Sequence, residues 1–162
     1  MKSVQRWGIY MIDNICIVNP GDISTPRGGE SRVITFAKSL SDHGFYVHLV
    51  VPEPKKEIPK DLQGIKIHTV PVYSKGGNLK NQFFKAVYLS KKAKKVVEEN
   101  KAILQLEHSP FAGFATFMGC SKFVLDMHDL AWLDPTYSKY IGIRRFMGIF
   151  EKKGILQANV II

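Results

Sequence analysis

The chain has 162 residues, 45% hydrophobic and 23% charged, which suits one domain with its own core. No stretch approaches ~18 uninterrupted apolar residues, so no spanning helix is read, and the first residues lack the long apolar region of a signal peptide. With 23 Lys+Arg against 14 Asp+Glu the formal charge is +9, which suits nucleic acid, an anionic membrane surface or phosphorylated ligands, or else simply solubilises the surface.

Taken in order, residues 7–12 read as a strand or as a leader covering a sheet edge, and Asp13-Asn14 as a turn. Residues 15–18 (ICIV) are short, apolar and rich in β-branched side chains, the pattern of a buried strand. Cys16 lies inside that run and is expected as a buried free thiol. Neither it nor Cys120 has metal spacing or a disulfide framework, which favours the cytosol. A loop dense in Pro, Gly, Asp and Ser follows, and Gly28-Gly29 opens a helix expected over about 29–43. Val33, Phe36, Ala37 and Leu40 fall at i, i+3, i+4 and i+7, one apolar stripe, and Gly44 reads as the residue past the helix end. Strand, glycine loop and helix N-terminus together are expected to form an anion site. Free N–H groups converge there, and missing Cβ atoms let a phosphate or sugar come close.

Residues 45–51 are a second strand, ended by Pro52 and Pro54, and a polar loop follows to about 63. Residues 65–72 alternate like a half-buried strand, and 75–78 form a turn. A long basic helix is predicted over 79–100. Phe83 and Val87, with Phe84 and Tyr88 beside them, make an apolar patch ahead of Lys91, Lys92, Lys94 and Lys95. Residues 102–106 are a strand leading into Glu107-His108-Ser109-Pro110. A small-residue helix spans 111–118, a strand 123–127 ends at His128-Asp129, a helix runs from 140 to about 156, and 158–162 begins another strand. This alternation predicts an α/β fold, a Rossmann-like parallel sheet with helices on both faces. Ligands in such sheets bind beyond the carboxyl ends of the strands. Those ends carry residues 19–29, Glu107-His108-Ser109 and His128-Asp129. The apolar run at 158–162 has no polar tail after it, so a fragment of a longer protein is expected.

In this order, residues 26–33 (PRGGESRV), 36–52, 104–113 (LQLEHSPFAG), 124–130 (VLDMHDL) and 151–162 resemble the start of a family-4 (group 1) glycosyltransferase. The resemblance covers about residues 15–162 and implies a GT-B architecture, two Rossmann-like domains facing a cleft. Residues 1–162 would be its truncated N-terminal, acceptor-binding half, with the donor-binding C-terminal domain absent. The implied reaction moves a sugar, with retention, from a nucleotide-sugar donor to a lipid-linked, glycan or small-molecule acceptor. No metal or other cofactor is expected, and the fragment alone is expected to be inactive. The implied partners are the nucleotide sugar, held through the missing domain, and a sugar or lipid-linked acceptor.

Carried over residue by residue, the resemblance makes His128 the catalytic-site histidine, contacting the transferred sugar or the acceptor. Gly28 and Gly29 would approach the donor phosphates or the sugar, the plain alternative being a strand-to-helix turn. Glu107 and His108 would bind acceptor hydroxyls. Asp129 either orients His128 or caps the next turn. Asp22 and Arg27 are acceptor-contact candidates, or else solvated loop charge. The spacing fits neither a nucleophile–base triad nor a zinc site, and His43, His48 and His68 read as surface or strand positions without a site role. The basic helix 79–100 is expected to meet an anionic membrane surface, as a peripheral contact on the inner face of the membrane of a cytoplasmic protein, against the alternative of a solvated basic face with Phe in the core. The competing class is a stand-alone Rossmann-like or flavodoxin-like nucleotide- or nucleic-acid-binding module. No Gly-x-Gly-x-x-Gly follows the first strand and the aromatics form no RNA-stacking platform, so no nucleic acid is expected.

Overall fold

A computed structural model describes residues 13–26, 28–71, 79–127 and 141–162. Strands and helices alternate: β1 (Asn14–Val18), α1 (Gly28–Asp42), β2 (Tyr46–Pro52), a 3-10 turn (Lys60–Leu62), β3 (Lys66–Val70), α2 (Leu79–Asn100), β4 (Ile103–Glu107), α3 (Ser109–Phe117), β5 (Phe123–Asp126), α4 (Ile141–Gln157) and β6 (Val160–Ile161). All six strands run parallel in the order β3-β2-β1-β4-β5-β6. This is the expected Rossmann-like sheet. The direction of winding reverses between β1 and β4, so a crevice opens there beyond their carboxyl ends.

Each face has its own core, because strands covered on both sides carry apolar residues at successive positions. On one face Val33, Ile34 and Ala37 of α1 pack on Ile17, Val47, Leu49 and Val51. Leu62 and Ile65 join them from the 3-10 turn region, which covers β2 and β3 where a crossover helix would otherwise lie. On the other face Leu89, Ala93 and Val96 of α2 and Ala112 and Ala115 of α3 cover Cys16, Val18, Leu104, Leu106, Phe123 and Leu125. Each fully buried Leu, Val or Phe contributes about 1.5–3 kcal/mol. Both cysteines are free and buried. Burial pushes the Cys16 thiol up to about 12 and the Cys120 thiol up to about 11.

Helix α2 spans the predicted residues. Helix α1 starts one residue earlier than expected, at Gly28, and β3 is shorter than 65–72. Helix α3 starts at Ser109, two residues early, because Pro110 fits the first turn, where its missing N–H costs nothing. The reading of residues 7–12 lies outside the described residues.

Helices α3 and α4 touch backbone to backbone. A Cβ added to Gly113 would overlap the carbonyl of Phe150, and one added to Gly154 would sit 2.6 Å from the Ser109 carbonyl and 2.7 Å from the Gly113 nitrogen. One turn along, the buried Glu151 carboxylate accepts a hydrogen bond from the Ser109 hydroxyl at the first residue of α3. A carboxylate is favoured there by the positive end of the helix dipole. Alanine is the better helix former by about 1 kcal/mol, yet overpacking a full site costs about 1–3 kcal/mol. Gly113→Ala and Gly154→Ala are therefore each expected to lower unfolding stability by about 1–3 kcal/mol, read by urea denaturation. Gly142→Ala, also in α4 but with nothing within 4 Å of the added Cβ, is expected to be neutral or mildly stabilising. Equal losses at all three positions would refute the steric account.

The edge of the sheet holds a second polar clasp. His48 is 4% exposed, so it is buried rather than at the surface. Its Nδ1 lies 3.0 Å from Nε2 of His68 on the neighbouring strand, and the rings stack at 5.3 Å. One ring must donate and the other accept, so the clasp needs at least the accepting imidazole neutral and is lost when both rings carry a proton. Burial holds both pKa values below the ordinary histidine value. Lys66 adds to this for His48, and His48, Lys92 and Lys66 add to it for His68, with Glu99 opposing. Because the folded values are depressed, the unfolded chain takes up protons first. The pair's contribution is complete above the unfolded value of about 6.5 and is lost as pH falls from there towards the folded values. The thermal midpoint is expected to drop between about pH 7 and pH 5. His68→Phe, which keeps a stacking ring but cannot titrate, should flatten part of that drop, and an unchanged slope would refute the assignment.

Candidate functional site

The crevice is built from the segments that leave the carboxyl ends of β1 and β4. Past Val18 the Asn19 amide donates to the Val50 carbonyl at 3.0 Å, and its side-chain Oδ1 accepts from the Gly21 amide at 2.7 Å, closing an Asx-type turn. The Asn19 Nδ2 is buried, with no hydrogen-bond partner among the described residues. Asp22 closes a second turn, its Oδ1 accepting from the Ser24 hydroxyl at 2.6 Å and the Ser24 amide at 3.0 Å. Burial would raise the Asp22 pKa, but the bonds from Ser24 and the nearby Lys55 outweigh it and hold the carboxyl below its ordinary value. Ser24 Oγ in turn accepts from the Lys56 amide at 3.1 Å. The loop is thus braced by its own short polar side chains.

Two further residues pin this loop from either side of the sheet. Gly21 lies so close to Glu30 of α1 that an added Cβ would strike the Glu30 side chain. From α2, Lys85 Nζ donates to the Pro20 carbonyl at 3.0 Å. Burial pushes the Lys85 pKa down, with Glu30 opposing and Lys55 adding to the fall. The glycine pair then starts α1. Gly28 has φ +35°, a conformation that favours glycine, while Gly29 is exposed with open space around it.

The opposite wall comes from β4 and β5. Gln105 and Glu107 point to the same face of the sheet, and Gln105 Nε2 donates to Glu107 Oε1 at 3.2 Å. Glu107 is 2% exposed. The register sets Glu107 beside Asp126, and the buried Asp126 carboxylate pairs with Arg32, which reaches over from α1. His108 comes next, at the junction with α3. It is exposed, holds φ +70°, and its amide donates to the Asp126 carbonyl at 3.3 Å. A non-glycine residue in that region costs of order 1 kcal/mol or more, and persists where its surroundings over-determine it.

The structure thus brings Asp22, Gly28, Gly29, Glu107 and His108 to one rim of the sheet. Within that group Asp22 is a turn-closing residue and Glu107 is held inward by Gln105, while Gly28, Gly29 and His108 are exposed. Arg27, His128 and Asp129 lie outside the described residues. Sequence reading placed Asn19 in the rim cluster 19–29 without giving it a role, and missed Arg32, Lys85, Gln105 as the partner of Glu107, and Asp126. The place of Asn19 and Asp126 at strand ends is a usable signal. Nothing in the basic run distinguishes Lys85, whose contact is with a residue 65 positions away. Among the described residues no group of three or more His, Cys, Asp or Glu could hold a metal ion. Compared with known proteins, the chain matches no family model and no curated sequence.

The rim offers N–H groups at the start of α1, the half-exposed Arg32 guanidinium and the exposed His108 imidazole. Such a set suits a hydroxyl-rich or anionic ligand. Gly28→Ala is expected to cost about 1–2 kcal/mol of stability through its left-handed backbone. Gly29→Ala should leave stability within about 0.5 kcal/mol, so any loss of ligand binding at Gly29 reports on close approach of the ligand. A large stability loss for Gly29→Ala would overturn this division.

Proposed function

We propose that this chain is the acceptor-binding half of a retaining glycosyltransferase, working with a donor-binding domain that holds the nucleotide sugar. The single observation that supports the reading most is that an exposed glycine pair at a helix start and the exposed His108 share the rim at the β1–β4 switch point. The resemblance of residues 26–52, 104–113 and 124–130 to family-4 (group 1) glycosyltransferases supplies the reaction class. In this reading His108 donates to or accepts from an acceptor hydroxyl. Gly28 and Gly29 let a sugar or phosphate lie against backbone N–H groups. Glu107 and Gln105 act as positioning residues that keep the end of β4 in place, and Asp126 does the same for Arg32. His128, two positions past the end of β5, takes the sugar- or acceptor-contacting role that the resemblance gives it, and Asp129 orients it. The acceptor is a sugar, a glycan or a lipid-linked molecule, and the reading calls for no metal.

A second reading, a stand-alone nucleotide-binding module, draws support from the strand order, which dinucleotide-binding sheets share. The loop after β1 carries Gly21, Gly28 and Gly29 and lacks the fingerprint that cradles a pyrophosphate. A thermal-shift panel on this chain separates the two. Nucleotide sugars and NAD are expected to leave its midpoint unchanged, while sugar acceptors raise it, and His108→Ala abolishes that rise. Low-micromolar binding of NAD or of a nucleotide sugar by this chain would favour the second reading and overturn the first.

A further inference from the structure

Three helices on one face of the sheet expose a continuous ridge of aromatic rings. Phe83 meets Phe84 at 5.9 Å on α2 and Phe114 of α3 at 5.2 Å, edge to face. Phe114 stacks on Phe150 of α4 at 5.7 Å, and Phe150 also touches Phe117 at 5.2 Å and Phe146 at 4.6 Å. These rings contact one another, yet they are not a core. Phe84 is 44% exposed, Phe146 47%, Phe117 58% and the neighbouring Ile149 63%. The inward stripe of α2 is instead Leu89, Ala93 and Val96. Contiguous exposed apolar surface of this kind marks an interaction site.

The helices that carry the ridge have a net positive charge. Helix α2 carries six lysines, α4 two arginines and two lysines, and α3 no charge. Against these stand only Glu98, Glu99 and Glu151, of which Glu151 is buried against Ser109 and Glu99 pairs with Lys95. Most of the chain's +9 therefore lies on this helical layer. Lys153 sits 3.3 Å over the Phe117 ring, so cation and aromatic are interleaved rather than segregated.

We propose that the aromatic ridge across α2, α3 and α4 is a docking surface for an anionic lipid membrane. Phe rings and an isoleucine enter the boundary between headgroups and acyl chains, and lysine and arginine meet the phosphate layer around them. A second copy of this chain fits poorly, since it would bring the same positive layer against itself. Nucleic acid fits poorly too: apart from Phe114 on Phe150 the ring contacts are tilted or edge to face, and Lys153 covers Phe117, so the ridge is not a set of parallel platforms for stacked bases. The ridge also has a direction. In a parallel βα fold each crossover helix begins at the carboxyl rim of the sheet, so Phe83 and Phe84, in the first two turns of α2, lie beside the crevice. Lys85, the next residue, donates to the Pro20 carbonyl of the crevice loop. A membrane on this ridge would have the crevice mouth at its surface. The surface proposal stands without the glycosyl-transfer reading and is tested apart from it.

The test is sedimentation of the full chain with vesicles of phosphatidylcholine alone or mixed with phosphatidylglycerol. Binding is expected only to the mixed vesicles, and raising salt from about 0.1 to about 0.5 M should weaken it. The double change Phe84→Ser and Phe146→Ser should lower partitioning about tenfold or more, with the circular dichroism spectrum and thermal midpoint unchanged. Lys91→Glu with Lys152→Glu, both exposed, should lower it about tenfold and reduce its salt dependence, and serves as the readout if the Phe variant unfolds. No sedimentation with anionic vesicles, or wild-type binding by folded variants, would overturn the proposal. So would variants that keep vesicle binding but lose a concentration-dependent dimer or the retention of single-stranded RNA.

Discussion

The contact on which one whole side of the molecule depends is the crossing of α3 and α4. Two glycines let the helix backbones meet without intervening side chains, and the Glu151 carboxylate then lands on the first turn of α3. The distance between those helices is set by main-chain atoms, which cannot rotate out of the way as a side chain can. The position of α3 fixes the strained junction at His108, because the His108 carbonyl accepts from the Ala112 amide at 3.0 Å in its first turn. The position of α4 fixes Phe150, the ring where the aromatic ridge branches. Rim and ridge are both read out from this one crossing.

The polar groups buried in the sheet are not spread evenly. Through most of their length β1 and β4 are lined by Cys16, Ile17, Val18, Leu104 and Leu106, and their apolar surface supplies the driving force for folding. Gln105, Glu107, Asp126 and Asn19 then crowd towards the carboxyl ends. Burying such groups costs free energy unless partners are supplied; Gln105 and Glu107 pair with each other, Asn19 Oδ1 takes the Gly21 amide, and Asp126 takes Arg32 from 94 positions away. A fold that places its costly groups at one edge, where the topology already opens a crevice, shows where local stability yields to another demand.

Period and punctuation made the layers legible. The β-branched run at 15–18, the stripe of Val33, Ala37 and Leu40, and the full length of α2 could all be read in advance, because each rests on neighbours within one or two turns. What could not be read depends on partners far along the chain. Glu151 looks like a surface residue of an amphipathic helix until Ser109, 42 positions earlier, is placed against it. His48 looks like a strand residue until His68 stacks on it. The Phe83 and Phe84 patch was visible as apolar, but its outward direction was not, since α2 also offers Leu89, Ala93 and Val96 as a competing inward stripe. At the rim the glycine pair and the Glu107-His108 corner were legible, since turn chemistry is local. Lys85 and Arg32 were not, since only the fold gives them their neighbours.

The central strand carries one further consequence. Strand β1 pairs with β2 through a single short crossover, but Cys16 meets its other neighbour, Leu104, only after the chain has travelled through two more strands and two helices. The two walls of the crevice therefore belong to segments that share no local structure, and joining them closes the longest loop in the sheet, at an entropic cost that grows with loop length. A partly folded piece that lacks the pairing of β1 with β4 does not contain the crevice. A molecule that occupies it is thus linked to the global folding equilibrium rather than to a local one, and its binding free energy is added to the stability of the entire sheet by mass action.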